Sequence, residues 1–380
     1  RNASVEGDII ASNSDITIGD ATAYIDTYSG KNITGTGFGF RQSVSQGTSS
    51  GESHFSGQII STGGTVKVGD KATVTLTKSS SLDGTDLTIE KGGVMTAQGS
   101  LFTSKEASIA GQLNLTGTPD QNKAWSSAIY LGYGGYKLTD DGAMFTAKNQ
   151  AAVTADITSD KTATISLGQN ENNVNNIKDA FTLASLNGFD TSLEGKIEAD
   201  KSSLTMNNAL WKVTGNSALN RMSITDSMTM FRGDNNTFST LTVDEMTTNN
   251  SAFVMRANTQ QADQLIVKNK LEGANNLLLV DFIEKKGNGL NIDLVKAPEN
   301  TSKDVFKTET QTIGFSDVTP EIKQQVKDNN SVWTLTGYKT VANASAAAKA
   351  TSLMSGNYKA FLNEVNNLNK RMGDLRDING

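Results

Sequence analysis

The 380-residue sequence predicts an all-β fold: a right-handed parallel β-helix ending in a C-terminal α-helical linker. Three observations carry this reading. Short runs of alternating apolar residues return about every 21 residues in the first half, a solenoid period. Only Pro119, Pro298 and Pro320 interrupt the chain, and since proline removes a ladder donor, their scarcity suits long unbroken sheets. From Val341 onward the apolar spacing changes from two to three and four, which is the period of a helix.

The first element is the repeat of residues 1–190. "DITIGDATAYI" starts at Asp15, "TVKVGDKATVTL" at Thr65, "DLTIEKGGVMTA" at Asp86 and "ASIAGQLNLTG" at Ala107. Within them apolar residues recur with period two in short runs: Val66, Val68, Val74 and Leu76, then Leu87 and Ile89 with Val94 opening the next run, then Ile109, Leu113 and Leu115. Glycine, Asp and Asn lie between the runs, where turns need a positive φ or a local side-chain bond. A single rung of such a chain leaves one apolar row uncovered, so stacked rungs share a continuous core. Asn-rich turns fit the same stacking, because amides can ladder between equivalent positions. A sandwich or barrel would use more than 6% aromatics and more proline.

The segment 123–147 breaks the repeat with Trp125, Tyr130, Tyr133 and Tyr136. It reads either as an aromatic excursion bearing a binding surface or as aromatics that close a rung.

Composition excludes several functions. The net charge of -6, with both signs interspersed, offers no footprint for nucleic acid or an anionic membrane. Without cysteine there is no disulfide framework, no thiolate chemistry and no cysteine metal site. No apolar run approaches the roughly 20 residues of a spanning helix. Arg1 begins no signal peptide, and the N-terminus reads as a cut through a longer protein.

Catalytic motifs are also missing. His54, in "GESHFSG", is the single histidine, and no G-x-S-x-G or G-D-S-G sequence accompanies it, so a serine triad has no base. Asp140 and Asp141 are the nearest approach to a carboxylate pair, yet adjacent strand residues point to opposite faces. No metal motif or cofactor-binding motif occurs, so neither is expected. "RGD" stands at Arg232, Gly233 and Asp234, readable as a solvated turn or as an integrin ligand.

The texture changes near Gly188, and residues 191–338 carry larger alternating side chains. Trp211, Phe253, Leu265, Val267, Leu277, Leu279 and Trp333 are the expected core of this part and the candidate folding nucleus. Four stretches here are diagnostic: "MNNALW" (206–211), "TDSM" (225–228), the run 241–280, and the closing "EVNNLNKRMGDLRDING" (364–380). On these, roughly the last 190 residues resemble the C-terminal passenger region of the serine-protease autotransporters of enteric bacteria, the SPATE family.

The resemblance implies a passenger that crosses the outer membrane through its own C-terminal β-barrel translocator and folds outside the cell. It implies the outer-membrane barrel-assembly machinery and periplasmic chaperones as further partners. It also implies an autochaperone role for 191–338, and a serine endopeptidase domain upstream of this non-catalytic part. Met354, Tyr358, Phe361, Val365, Leu368, Met372 and Leu375 share one helical face in 339–380, and the resemblance places that helix inside the barrel. It further implies cleavage between Asn366 and Asn367. There the Asn366 side-chain amide would attack its own backbone carbonyl, close a succinimide and expel the amine of Asn367. Carboxylates needed to polarise so poor a nucleophile would come from the barrel wall. On the residues alone, the ending could equally be a short coiled coil, weakened by Gly356 and Gly373. Two rivals remain for the whole: an adhesin-type passenger without protease, and a carbohydrate-active β-helix enzyme.

Overall fold

The structure is a computed structural model and describes residues 3–19, 52–117, 128–168, 188–234, 236–283, 289–313, 316–343 and 345. The strands among them join one continuous sheet of 27 strands. Every pairing as far as the strand Asn276–Phe282 is parallel, and each strand meets the equivalent strand one rung on. Three strands make a rung. Ala72–Leu76, Ser80–Asp83 and Asp86–Ile89 occupy the three faces, and Val94–Ala97, Leu101–Thr103 and Ala107–Ile109 stack on them in the same order. This is the parallel β-helix that the repeat predicts, and the structure adds that it has three sides.

The period-two pattern becomes the core directly. On one face a single inward row runs Phe55, Val74, Met95, Leu113, Phe145, Ile165, Leu204, Met222, Met246 and Leu271, each residue in register with the next. All of them are buried. A one-residue slip would turn the whole row to water, which is why alternation specifies register so strongly.

Corners are built from polar residues. Asn208, Asp226, Asn250 and Asn275 stand at one corner of successive rungs with φ of 52°, 49°, 48° and 59°, the left-handed region that Asn and Asp tolerate. The Asn250 amide donates to the Asp226 carboxylate one rung away, so the expected ladder of turn side chains exists here. Beside it a second ladder is buried: Ala209 N–H donates to Ser227 Oγ at 3.0 Å, Ser227 N–H to Ser251 Oγ at 3.3 Å, and Ser251 N–H to Asn276 Oδ1 at 3.1 Å.

The aromatic segment enters the rungs from Ala128. Ala128–Leu138 runs across two faces, pairing with Leu101–Thr103 and then Ala107–Ile109 with an irregularity between Gly132 and Tyr136, and Met144–Lys148 takes the third. Tyr130 and Tyr136 are inside the core and Tyr133 outside against Phe102. Gly132 makes room for this, since a Cβ there would lie 2.8 Å from the Tyr136 ring. The ring closes the rung instead of leaving it. Trp125 lies outside the described residues.

At the C-terminal end the chain reverses. Ser316–Lys327 and Asn330–Ala342 form an antiparallel hairpin, and the latter strand pairs antiparallel with Ile292–Pro298 of the last rung. The final strand carries the sheet to Ala342, past the expected boundary at 338, because its whole length pairs with Ser316–Lys327. The expected linker helix, with Asn366 and Asn367, lies outside the described residues apart from these first few.

Candidate functional site: the capped C-terminal rungs

Trp211, Phe253, Leu265, Val267 and Trp333 are brought together in the main core. Trp211 is fully enclosed and donates from Nε1 to the Gly195 carbonyl at 2.9 Å, which satisfies its one polar atom. Phe253 meets Phe306 edge-on at 5.6 Å between ring centroids, and Phe306 meets Trp333 at 5.3 Å. That chain of rings joins the last parallel rungs to the capping hairpin. Phe282 stacks on Tyr338 of the same hairpin at 4.7 Å.

Leu277 and Leu279 belong elsewhere. With Phe189, Leu210, Met228, Met230, Ala252 and Val254 they form a second buried cluster, separate from the first. These residues alternate with core residues along their strands: Leu210 with Trp211, Ala252 with Phe253, Leu277 with Leu278. Their side chains therefore stand on the outer side of that face. Asn276–Phe282 is buried on both sides, unlike the half-exposed strands of the first rungs. Its signal in the sequence is four apolar residues in succession, Leu277 to Val280, where alternation would give two.

Two polar constellations escaped the sequence reading. Asn276 is fully buried and uses its whole side chain: Nδ2 donates to the carbonyls of Thr248 and Val305, both at 2.9 Å, while Oδ1 accepts from Thr248 Oγ1 and Ser251 N–H. One amide thus ties three successive turns of chain. Asp263 and Arg256 form the second. Asp263 is wholly enclosed and also accepts from the amides of Arg256 at 2.9 Å and Ser239 at 2.7 Å. Arg256 sends its remaining donors to the carbonyls of Asp234 at 3.0 Å and Thr237 at 2.8 Å. A charge pair seven residues apart in sequence has no motif, so only the fold reveals it.

The other candidates are separated. His54 is exposed, 3.5 Å from Glu52, with Ser4 and Thr73 as its register partners on the neighbouring rungs. Asp140 pairs with Lys91 at 2.8 Å, whose hydrogen bond holds the carboxyl below its ordinary range, while Asp141 accepts from the Thr162 amide. Among the described residues no group of three His, Cys, Asp or Glu could hold a metal, and no helix is long and apolar enough to cross a membrane. Burial on both faces is concentrated in the strands Met228–Phe231, Ala252–Ala257 and Asn276–Phe282.

No protein-family model matches the chain. Individual proteins do. The serine protease pet autotransporter of Escherichia coli O44:H18 is 68% identical over 384 residues, covering 100% of this chain and 30% of that protein. The serine protease sat autotransporter of Escherichia coli O6:H1 is 53% identical and Escherichia coli EspP 50%, each again over 100% of the chain and 30% of the relative. The chain thus spans about 30% of the length of the curated relatives it matches. Among solved structures, the passenger domain of plasmid encoded toxin from enteroaggregative Escherichia coli superposes with a TM-score of 0.75 at 63% identity, covering 90% of this chain and 38% of that one. On this similarity along its entire length, the chain belongs to the serine-protease autotransporters, as a segment of their passenger domain.

Proposed function

We propose that this chain is the non-catalytic C-terminal part of a secreted passenger, a β-helix stalk whose capped end nucleates folding as the passenger emerges from the outer membrane. The observation that carries this is the antiparallel hairpin against Ile292–Pro298. A parallel β-helix can grow at either open end, but a reversed strand offers no template for another rung. Growth from the cap can proceed only toward the N-terminus. In a solenoid each rung contacts only its neighbours, so the rung with the most buried surface is the natural start and the others add to it.

The C-terminal rungs have that surplus. Each fully buried Leu, Val or Phe contributes roughly 1.5–3 kcal/mol, and Asn276–Phe282 buries such residues on both faces. Every rung added outside the cell biases the chain against sliding back, a source of directed motion where no nucleotide is hydrolysed. The partners in this reading are the protein's own C-terminal β-barrel, the barrel-assembly machinery and periplasmic chaperones. A serine endopeptidase domain would precede Arg1, and release would follow cleavage between Asn366 and Asn367 in a linker helix within the barrel.

The test is the intact mass of the protein released when the complete gene is expressed in a bacterium with an outer membrane. A product ending at Asn366 supports export and barrel-assisted cleavage together. A product that stays inside the cell, or one released with Asn367 attached, overturns the respective part.

A further inference from the structure

We propose that Arg232, Gly233 and Asp234 form a receptor-docking loop, offering a guanidinium and a carboxylate to the acidic pocket and divalent-cation site of an integrin-class receptor. All three residues are exposed. Among the described residues neither the Arg232 guanidinium nor the Asp234 carboxylate has a hydrogen-bond or ion-pair partner, although many other surface charges of this protein pair across rungs. Two opposite charges two residues apart are thus unpartnered among the described residues.

Their backbone, in contrast, is fixed. Arg232 N–H donates to the Val213 carbonyl at 2.7 Å, which anchors the entry of the loop to the rung below. The exit is held by Arg256, sunk beneath it, through the Asp234 and Thr237 carbonyls, and Thr237 N–H adds a bond to the Asp234 carbonyl at 3.1 Å. Gly233 has φ of 151°, and a Cβ there would come 3.0 Å from Arg256 Nη1, so the loop as built takes only glycine at its centre. An ordinary solvated turn needs no buried guanidinium to hold it. Here a buried ion pair spends two donors on loop carbonyls and leaves the loop's own charged side chains in water.

The chemistry of the two side chains names the partner class. A carboxylate is the hard oxygen ligand a divalent cation takes, and a guanidinium pairs with receptor carboxylates in bidentate fashion. A loop fixed before binding does not have to be ordered by it, which favours affinity. This inference needs the loop to face a host surface and in that respect rests on the passenger reading. The test uses purified protein, so it does not depend on whether export proceeds as proposed.

The secreted parent protein is passed over an immobilised soluble RGD-binding integrin ectodomain in manganese buffer. Saturable binding is expected, abolished by EDTA, competed by a short linear RGD peptide and weakened roughly tenfold or more in Asp234→Glu, which keeps the charge and the clamped carbonyl. Unchanged thermal stability of Asp234→Glu shows that the fold is retained. Gly233→Ala, which keeps both charges but displaces the loop, is expected to weaken binding as well. No binding, binding that survives EDTA, or equal binding by Asp234→Glu overturns the proposal.

Discussion

Arg256 meets Asp263 side-on, Nε to Oδ2 and Nη2 to Oδ1 at 2.8 Å each, with only 5% and 0% of the two side chains exposed. The pair closes the strand Ala252–Ala257 onto the start of the next face, and its spare donors reach up to the loop after Phe231. Its worth lies in satisfaction more than in Coulomb attraction. Every carboxylate oxygen accepts and the guanidinium has partners on three sides, so neither ion is stranded.

Removing one partner should therefore cost more than removing both. Asp263→Ala leaves a guanidinium buried without its counter-ion and is expected to lower stability by about 3–5 kcal/mol. Arg256→Met combined with Asp263→Leu should recover the part due to the stranded charge, while the Ser239 and Arg256 amides that Asp263 accepted stay unpaired. Urea unfolding of the single and double variants checks it, and equal losses in both would show that packing, not charge, holds this site.

Asn276 makes a comparable case without charge. Its amide supplies two donors to carbonyls of different rungs and takes two donors in return. Asn276→Ala would leave the Thr248 and Val305 carbonyls and the Ser251 amide unpaired, at a cost on the order of 3 kcal/mol. The loss should appear in hydrogen exchange as faster exchange at Ser251, with little change in the rungs near Val74.

Tyr136 sits differently. Its buried hydroxyl and that of Thr103 lie close to each other, yet neither makes a hydrogen bond of good geometry. Burial pushes the phenol above its ordinary pKa, with the neighbouring Thr103 hydroxyl acting in the opposite direction. Since the folded state favours the neutral phenol, its contribution is whole below the unfolded value of 10.0 and is lost as pH rises beyond it. Tyr136→Phe should be neutral or up to about 1 kcal/mol stabilising at neutral pH. It should also flatten the fall of melting temperature above pH 10.0 relative to the parent.

The inward rows were legible because strand side chains alternate, so Val74 and Leu113 declare their direction by position alone, whereas Val94, read with the same set, is half-exposed and Met95 takes the inward place. The rung period was legible from the spacing of those runs. A cap within 191–338 was expected, but its antiparallel direction was not legible: reversal at Ser316–Lys327 leaves the two-residue period unchanged, so an antiparallel hairpin and another rung read alike. Leu277 and Leu279 were legible as buried but not as a second cluster, since hydrophobicity does not say which side of a strand is covered. Arg256 and Asp263 were invisible because a charged residue in sequence reads as surface unless its partner's place is known.

If the capped rungs are the nucleus, the position of a core lesion matters more than its depth. Leu278 and Leu113 are both fully buried, one in the strand Asn276–Phe282 and the other in Gln112–Thr116. A buried unpaired carboxylate is severe at either site. Leu278→Asp should stall export with the passenger held in the membrane, whereas Leu113→Asp should be exported and released with a locally open stalk. Protease accessibility of intact cells distinguishes the two. Normal export of Leu278→Asp, or an equal stall from Leu113→Asp, would remove the nucleus from the C-terminal rungs.

Release offers the most discriminating chemistry. If Asn366 cyclises, its Nδ2 forms a bond to its own carbonyl carbon, giving a five-membered succinimide, and the bond to the Asn367 nitrogen breaks as that nitrogen takes a proton. Asn366→Gln keeps the amide and its polarity but adds one methylene, so ring closure would have to pass through a six-membered imide, which forms far more slowly. The passenger of that variant should stay attached to the membrane fraction, while Asn367→Gln, altering only the leaving residue, should be cut nearly as before. Cell fractionation followed by mass measurement of the soluble product reads both. Release of Asn366→Gln at the normal rate would point to an external protease and would separate cleavage from any chemistry of this asparagine.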